Sequence, residues 1–343
     1  MATHLAAIAH GKGPLKVEER PTLSPGPKEL LIDVRSIAVN PVDAYQRDYG
    51  VFVKEYPAIF GSDIAGTIIS SGSSVPSDTP KPGSRIAGFA SAFFEQGNPN
   101  YGAFQKKVLV QASNVVLLPD NISYNEGALL PMSVETGWAG FYVNGIARDT
   151  KYTPADKKGF LVWSGATSVA SSAVQIAKSM GFYVYVTASA KHHQYLKTLG
   201  ATHTFDYHDA DVAESIAKAA KADGVTINEA YLGRGDLKPV LESLKLSKGP
   251  GPANIAHAPR VPEDAPKEEG FPIRFVSPPA DEEGRDEFFH FVFGVWLQDK
   301  LAKKEYIPSP AIRIIPGGLE GVNKAIDEIS AGGASGEKLV LEI

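Results

Sequence analysis

Up to Asp120 the chain is written in short apolar runs broken by turn residues. Glu29–Arg35 (ELLIDVR) and Ile64–Ser70 (IAGTIIS) carry β-branched and aliphatic positions, as do Gly83–Phe89 and Phe104–Val110. Between them fall Ser24-Pro-Gly-Pro27, Asn40-Pro41, Gly72-Ser-Ser74 and Pro80-Lys-Pro-Gly83. Proline and glycine there preset or free the backbone and end strands. No helical period is sustained, and the pattern predicts an antiparallel, barrel-like region.

The pattern changes at Ser123. Tyr124–Leu130 reads as a helix with Ser123 as N-cap and Glu126 three residues on, a capping box. Phe160–Trp163 then reads as a strand, Ser164–Ser168 as a turn, Val169–Met180 as a helix and Phe182–Thr187 as a second strand. Within the helix Val169, Ala173, Ile176, Ala177 and Met180 share one face, and Gly181 supplies a left-handed stop. Further alternation at Ile227–Leu232, Leu237–Leu244, Ala253–Ala258 and Ile273–Ser277 predicts a parallel sheet with right-handed crossovers. Pro259–Gly270 reads as a surface loop. A long amphipathic helix is expected over Asp286–Lys304, another over Leu319–Ile329, and a closing strand over Lys338–Glu342.

A chain of 343 residues suits two domains or one large one, and 43% hydrophobic with 21% charged residues is a folded balance. The net charge of −5 argues against non-specific binding to nucleic acid or an anionic membrane. With no cysteine there is no disulfide, thiolate nucleophile or Cys-ligated zinc. The start lacks a signal-peptide pattern and no run approaches a membrane span, so the expectation is a cytoplasmic protein.

The turn after Trp163 is the first candidate site. Small residues between a strand and a helix let backbone N–H groups approach a pyrophosphate. Gly165-Ala-Thr-Ser-Val-Ala-Ser171 is not G-x-G-x-x-G, since Ser168 and Ala170 stand where later glycines are expected. The hydroxyls of Thr167 and Ser168 partly compensate as donors. After the second strand, an NAD site usually presents an acidic residue to the ribose. Here Val186–His193 offers hydroxyls, one lysine and two histidines, and no Asp or Glu occurs from Lys157 to Phe205. That set suits a 2′-phosphate, with Ser189, Lys191 and His192 as its readers, and points to NADPH.

Several ordered segments resemble one family: Asn40-Pro-Val-Asp43, Tyr56–Gly66, Pro82–Gly88, Tyr101-Gly-Ala-Phe104, Glu135-Thr-Gly-Trp138, Gly165–Ala177, Leu199–Thr202 with Phe205-Asp-Tyr207, Gly317–Gly321 and Ser335–Val340. The chain is similar over nearly its whole length to zinc-independent medium-chain dehydrogenase/reductases of the quinone oxidoreductase and enoyl reductase branch. Fungal stand-alone reductases, including trans-acting enoyl reductases of polyketide pathways, are its nearest look-alikes. The resemblance implies an α/β protein with a GroES-like β-barrel catalytic domain (1–123 and 285–343) and a Rossmann doubly wound parallel-sheet domain (124–284). It implies a cofactor in the interdomain cleft. Asn40, Pro41, Val42 and Asp43 would line its nicotinamide side, which Thr136 would approach. Gly165, Ala166, Thr167, Ser168 and Val169 would hold the pyrophosphate. Ser189, Lys191, His192 and Tyr207 would serve the adenosine phosphate end, with Ser335 and Lys338 near the cofactor. It also implies a monomer or homodimer.

Zinc members carry Gly-His-Glu where this chain has Gly61-Ser62-Asp63, so no metal is expected. Without a Lewis acid to polarise an alcohol oxygen, conjugate reduction of an enone, enoyl thioester or quinone is favoured. Its enolate needs a donor and then a proton. Tyr45, Tyr49 and Lys54 are the candidate donors, beside the plainer reading in which the tyrosines pack a loop and Lys54 is solvated. In mitochondrial-type enoyl reductases a tyrosine falls two residues beyond Tyr49, where this chain has Val51. The aromatic group Phe288, Phe289, Phe291, Phe293 and Trp296 reads as core or as the wall of an apolar pocket. The expected partners are a small conjugated carbonyl substrate and, in the trans-acting reading, a polyketide synthase carrier. A non-catalytic dinucleotide-binding sensor is the alternative of another class.

Overall fold

The computed structural model describes residues 2–343. The chain divides into two compact units, residues 1–132 with 282–343, and residues 133–281.

In the first unit a hairpin of β1 (Thr3–Ile8) and β2 (Lys16–Pro21) accompanies a seven-stranded sheet. Its strands are β3 (Glu29–Ala38), β4 (Asp63–Ser71), β5 (Arg85–Phe89), β6 (Lys107–Gln111), β7 (Val115–Leu117), β14 (Ala311–Ile314) and β15 (Glu337–Glu342). The order is β14-β15-β3-β4-β5-β7, and β6 also pairs with β3. The last strand of the chain therefore completes a sheet begun at its start. Alternate residues turn inward, and Ile32, Val34, Ile37, Ile64, Ile68, Ile86, Leu339 and Leu341 form a continuous buried core with Phe60 and Phe104. Barrel-like antiparallel pairing agrees with the run-and-turn pattern.

The second unit is a six-stranded parallel sheet in the order β10-β9-β8-β11-β12-β13. The strands are β8 (Lys158–Trp163), β9 (Tyr183–Thr187), β10 (His203–Phe205), β11 (Thr226–Leu232), β12 (Asn254–His257) and β13 (Ile273–Phe275). The sequence runs outward from β8 to one edge and then from β11 to the other. This is the doubly wound order whose reversal leaves a crevice at the carboxyl ends of the strands. Crossover helices are α4 (Ser168–Ser179), α5 (His193–Leu199), α6 (Val212–Asp223) and α7 (Leu237–Ser247).

Two helices show no apolar stripe, for opposite reasons. Helix α1 (Pro41–Tyr49) buries Asp43, Ala44, Gln46 and Arg47, so its inner face is mostly polar and shows no apolar stripe. Helix α3 (Pro131–Val143) is apolar nearly all round and buried on nearly every side, which also erases a stripe. Gly140 lets α3 lie against β11: a Cβ there would come 2.4 Å from the Tyr231 ring. The helix at 124 forms with the expected capping box but stops early, at Gly127 (α2, Tyr124–Gly127). The long helix starts earlier than expected. It comprises α8 (Glu282–Phe289), a π-helical stretch His290–Leu297 and α9 (Gln298–Ala302). Phe288, Phe289 and Phe293 are core residues.

Candidate functional site

The turn between β8 and α4 is held open by local contacts. Ser164 adopts a left-handed conformation, φ 59°, and its Oγ donates to the Arg234 carbonyl at 2.8 Å. The Gly165 N–H donates to the Thr187 carbonyl at 2.8 Å, locking the turn to β9. Gly165 is required by space: a Cβ would lie 2.2 Å from Val186 Cγ1. Ala170 is fully buried where a further glycine was expected, and the room it takes comes from the facing chain. A Cβ on Gly233 would meet Ala170 Cβ at 2.7 Å and Thr167 Oγ1 at 2.6 Å. The missing glycines in the motif thus leave the turn intact, because Gly233 supplies the clearance.

Thr167 is the N-cap of α4, and Ser168 is its first residue. Their hydroxyls are both buried and both without a hydrogen-bond partner in the protein. Unpaired hydroxyls beside the N–H groups of a helix start form an anion cradle. A dinucleotide pyrophosphate fits that donor set.

At the end of β9, the Ser189 and Tyr207 hydroxyls are hydrogen-bonded at 2.9 Å, and Lys191 is exposed in the single 3₁₀ turn that follows. Ser189 and Tyr207 meet, with Lys191 two residues further along the same turn. His192 differs in character: burial, then the Lys191 and His193 charges, lower its pKa, so it sits there as a neutral imidazole rather than a second cation. A carboxylate does approach, from just past the acid-free span. Asp206 accepts from the Ala190 N–H at 3.0 Å and from His208, and these bonds hold it below the usual carboxylate range. It acts here as a cap on the turn.

Thr136 is half-buried on α3, where its Oγ1 donates to the Glu135 carboxylate at 2.9 Å and its carbonyl accepts from the Tyr231 hydroxyl.

In the first unit, Asn40 sits at the end of β3 as N-cap of α1. Its N–H donates to Asp43 Oδ2 at 2.7 Å, and its Nδ2 donates to Asp63 Oδ2 at 2.8 Å. Lys338 Nζ donates to Asn40 Oδ1 and pairs with Asp63 Oδ2 at 2.9 Å. Asp63 Oδ1 accepts from the Met132 N–H at 2.6 Å. Asn40, Asp43, Asp63 and Lys338 are all buried. They tie α1, β4, β15 and the start of α3 into one polar knot. Burial pushes the Asp43 carboxyl up to about 7; the Asn40 N–H and Lys338 pull it down and Asp63 pushes it further up.

Sequence reasoning named Asn40, Asp43 and Lys338 but missed Asp63, the partner that Asn40 and Lys338 share, and Gln46 on the same helix face as Asp43. Lys338 points into the knot, while Ser335 is exposed in the turn before β15. Pro41 is exposed and Val42 half-buried at the start of α1. Tyr45 and Tyr49 project from its outer side, 52% and 67% exposed, and Lys54 is exposed in the following loop. A cavity of about 900 Å³ in this unit, lined by Lys28, Asp78, Gln111, Glu282, Asp286 and His290 among others, contains none of the expected site residues.

Residues 26–120 match the alcohol dehydrogenase GroES-like domain, and 168–247 match the zinc-binding dehydrogenase family. Among the described residues no group of three or more His, Asp or Glu is placed to hold a metal ion. The chain belongs to the medium-chain dehydrogenase/reductases, the oxidoreductase family with a GroES-like unit and a Rossmann-type sheet. Within that family its relatives include fungal enoyl reductases. It is 43% identical over 343 residues to the trans-enoyl reductase tndF of Aspergillus flavipes, covering 99% of both chains. It is 48% identical over 285 residues to the trans-enoyl reductase tazE of Aspergillus terreus, 82% of this chain and 94% of the other. Among solved structures, the quinone oxidoreductase of Coxiella burnetii superposes with a TM-score of 0.71 at 21% identity over the whole of both chains. An alcohol dehydrogenase superfamily protein of Novosphingobium aromaticivorans gives 0.78 at 20% over 99% of both. These two show the shared fold. A nicotinamide cofactor follows from the family and agrees with the donor set of the turn.

Proposed function

We propose that the chain is an NADPH-dependent, metal-free reductase that delivers hydride to activated C=C bonds of enones or enoyl thioesters, or to quinones. The observation that carries this reading is the pair of unpartnered hydroxyls, Thr167 and Ser168, at the start of α4 beside Gly165. Gly165, Ala166 and Val169 complete the pyrophosphate cradle. Ser189, Lys191, His192 and Tyr207 read the 2′-phosphate, with Lys191 as the cation and neutral His192, whose buried Nε2 has no partner in the protein, as a further hydrogen-bonding group. When bound, the nicotinamide supplies the hydride. We assign Asn40, Pro41, Val42 and Asp43 to the nicotinamide end of the cofactor, with Lys338 acting through Asn40. Tyr45, Tyr49 and Lys54 are the exposed groups from which a donor to the substrate carbonyl would come. The identities with trans-enoyl reductases favour a carrier-tethered substrate, with this chain acting in trans on a polyketide synthase product.

The test is a paired titration with NADPH and NADH of the wild type and Lys191→Ala. NADPH affinity should fall by about 1.5–3 kcal/mol, the value of a charge-assisted contact, with NADH affinity unchanged. Equal losses for both nucleotides would remove Lys191 as the reader. Cofactor binding without turnover of any enone, enoyl thioester or quinone would favour the non-catalytic sensor.

A further inference from the structure

The polar knot leaves loose ends. Asp43 Oδ1 and both amide atoms of Gln46 have no partner in the protein, although Asp43 and Gln46 are 0% exposed. The two residues are three apart on α1, so they are neighbours on one helix face with Cβ atoms about 5–6 Å apart. Fully buried polar atoms are almost always paired with protein or ordered water. An unpaired carboxyl oxygen and an unpaired side-chain amide three residues apart on one buried helix face can together offer a water its usual two to four polar partners.

Charge counts the same way. The groups acting on Asp43 from the neighbouring strands are Asp63 on β4 and Lys338 on β15. Arg47, the buried cation of α1, is committed to Asp48 and Asp327. Asp63 uses both oxygens, on Lys338, Asn40 and the Met132 N–H. Two carboxylates therefore share one available cation, and only Asp43 has an oxygen to spare. That oxygen is the place for the proton that balances the set.

We propose that Asp43 and Gln46 bind a buried water on the inner face of α1, and that the neutral carboxyl of Asp43 with this water is the proton store for the reduction. The proton store rests on the function proposed above; the water site does not. Reduction of a conjugated C=C adds one hydride and one proton. Once the β-carbon has gained the hydride, the electron pair on the enolate takes a proton through the water, the Asp43 O–H bond breaks, and a carboxylate is left. Solvent then returns a proton to Asp43, the nucleotide leaves oxidised, and the balance closes. Asp43 acts through the water and is a positioning and storage group.

Infrared difference spectroscopy of the whole protein across neutral pH tests the site without substrate. In a Glu229→Gln background, which removes the second buried carboxyl pushed up to about 7, the protein should show a carboxylic-acid C=O band that disappears as pH rises through neutrality. That band should be missing when Asp43→Asn is added and displaced when Gln46→Leu is added. Kinetics then test the store: kcat of the wild type should fall above neutral pH, whereas Asp43→Asn should have a lower kcat that no longer bends there. An Asp43 ionised throughout that range would overturn the water-and-acid site, and the Glu229→Gln titration settles this even if Asp43→Asn does not fold. The same alkaline bend in wild type and Asp43→Asn would overturn the proton store. No turnover by the wild type of any conjugated carbonyl or quinone would overturn the proposed function, and with it the proton store; the infrared result would still decide the water site.

Discussion

The phosphate turn of the second unit and the polar knot of the first use similar residue types to opposite ends. In the turn, Thr167 and Ser168 hold hydroxyls that no protein group satisfies, beside the open start of a helix. In the knot, Asn40, Asp63 and Lys338 satisfy one another, and the amide of Asn40 is oriented by having an ammonium on one atom and a carboxylate on the other. The turn bears an unmet hydrogen-bonding demand that a ligand relieves. Asn40, Asp63 and Lys338 meet one another's demand and fix the backbone around them. Loss of a turn hydroxyl should therefore cost binding and leave folding alone. Loss of a knot charge should cost folding first.

The largest expected effect is in the knot. Lys338→Met strands the Asp63 carboxylate in a site where it is 0% exposed and its partner is 5% exposed. Breaking a buried pair from one side typically costs about 3–5 kcal/mol. Urea denaturation should show that loss, and Lys338→Met combined with Asp63→Asn should recover part of it, because no unpaired charge remains. Two equal single losses that simply add in the double variant would show that the two residues do not act as a pair.

The turn gives the converse. Thr167→Val and Ser168→Ala should each weaken NADPH and NADH alike by about 1.5–3 kcal/mol, since the acceptor is a charged phosphate common to both. Their urea midpoints should stay near that of the wild type, within about 0.5 kcal/mol of stability, because no intramolecular bond is lost. A large loss of stability with unchanged nucleotide affinity would invert the comparison.

The two regions also differ in how far the sequence revealed them. The turn is contiguous, and strand, small residues and helix follow one another from Phe160 to Met180, so period and punctuation expose it. What stayed hidden there is Gly233, whose clearance for Ala170 depends on a loop after β11. The knot is drawn from positions 40, 43, 63, 132 and 338, and no local pattern joins them. Only the resemblance of the Asn40–Asp43, Tyr56–Gly66 and Ser335–Val340 segments pointed to its parts. Helix α1 was concealed for the same reason, since a face built of Asp43, Gln46 and Arg47 looks solvent-facing until its partners are known. Barrel and doubly wound sheet were legible because both rest on apolar burial, which leaves a period. Polar burial leaves none.

The smallest expected effect asks whether an unbalanced buried carboxyl is peculiar to the first unit. Glu229, on β11, is also pushed up to about 7 by burial, against the opposing pull of Asn254 and Asn144. The Asn254 and Asn144 amides donate to its two oxygens, each at 2.9 Å, so unlike Asp43 it has no unpartnered oxygen. A folded-state pKa above the unfolded value means that folding takes up a proton. The stabilisation is complete below about pH 4.5 and is lost as pH rises through about 7. Glu229→Gln removes this titration, so its stability should change less than that of the wild type between those limits. The gap should narrow toward acid pH, where the wild-type residue is neutral too. Parallel stability curves for wild type and Glu229→Gln across that window would show that Glu229 stays ionised in the fold, and that its two amide donors outweigh burial where the single Asn40 N–H on Asp43 does not.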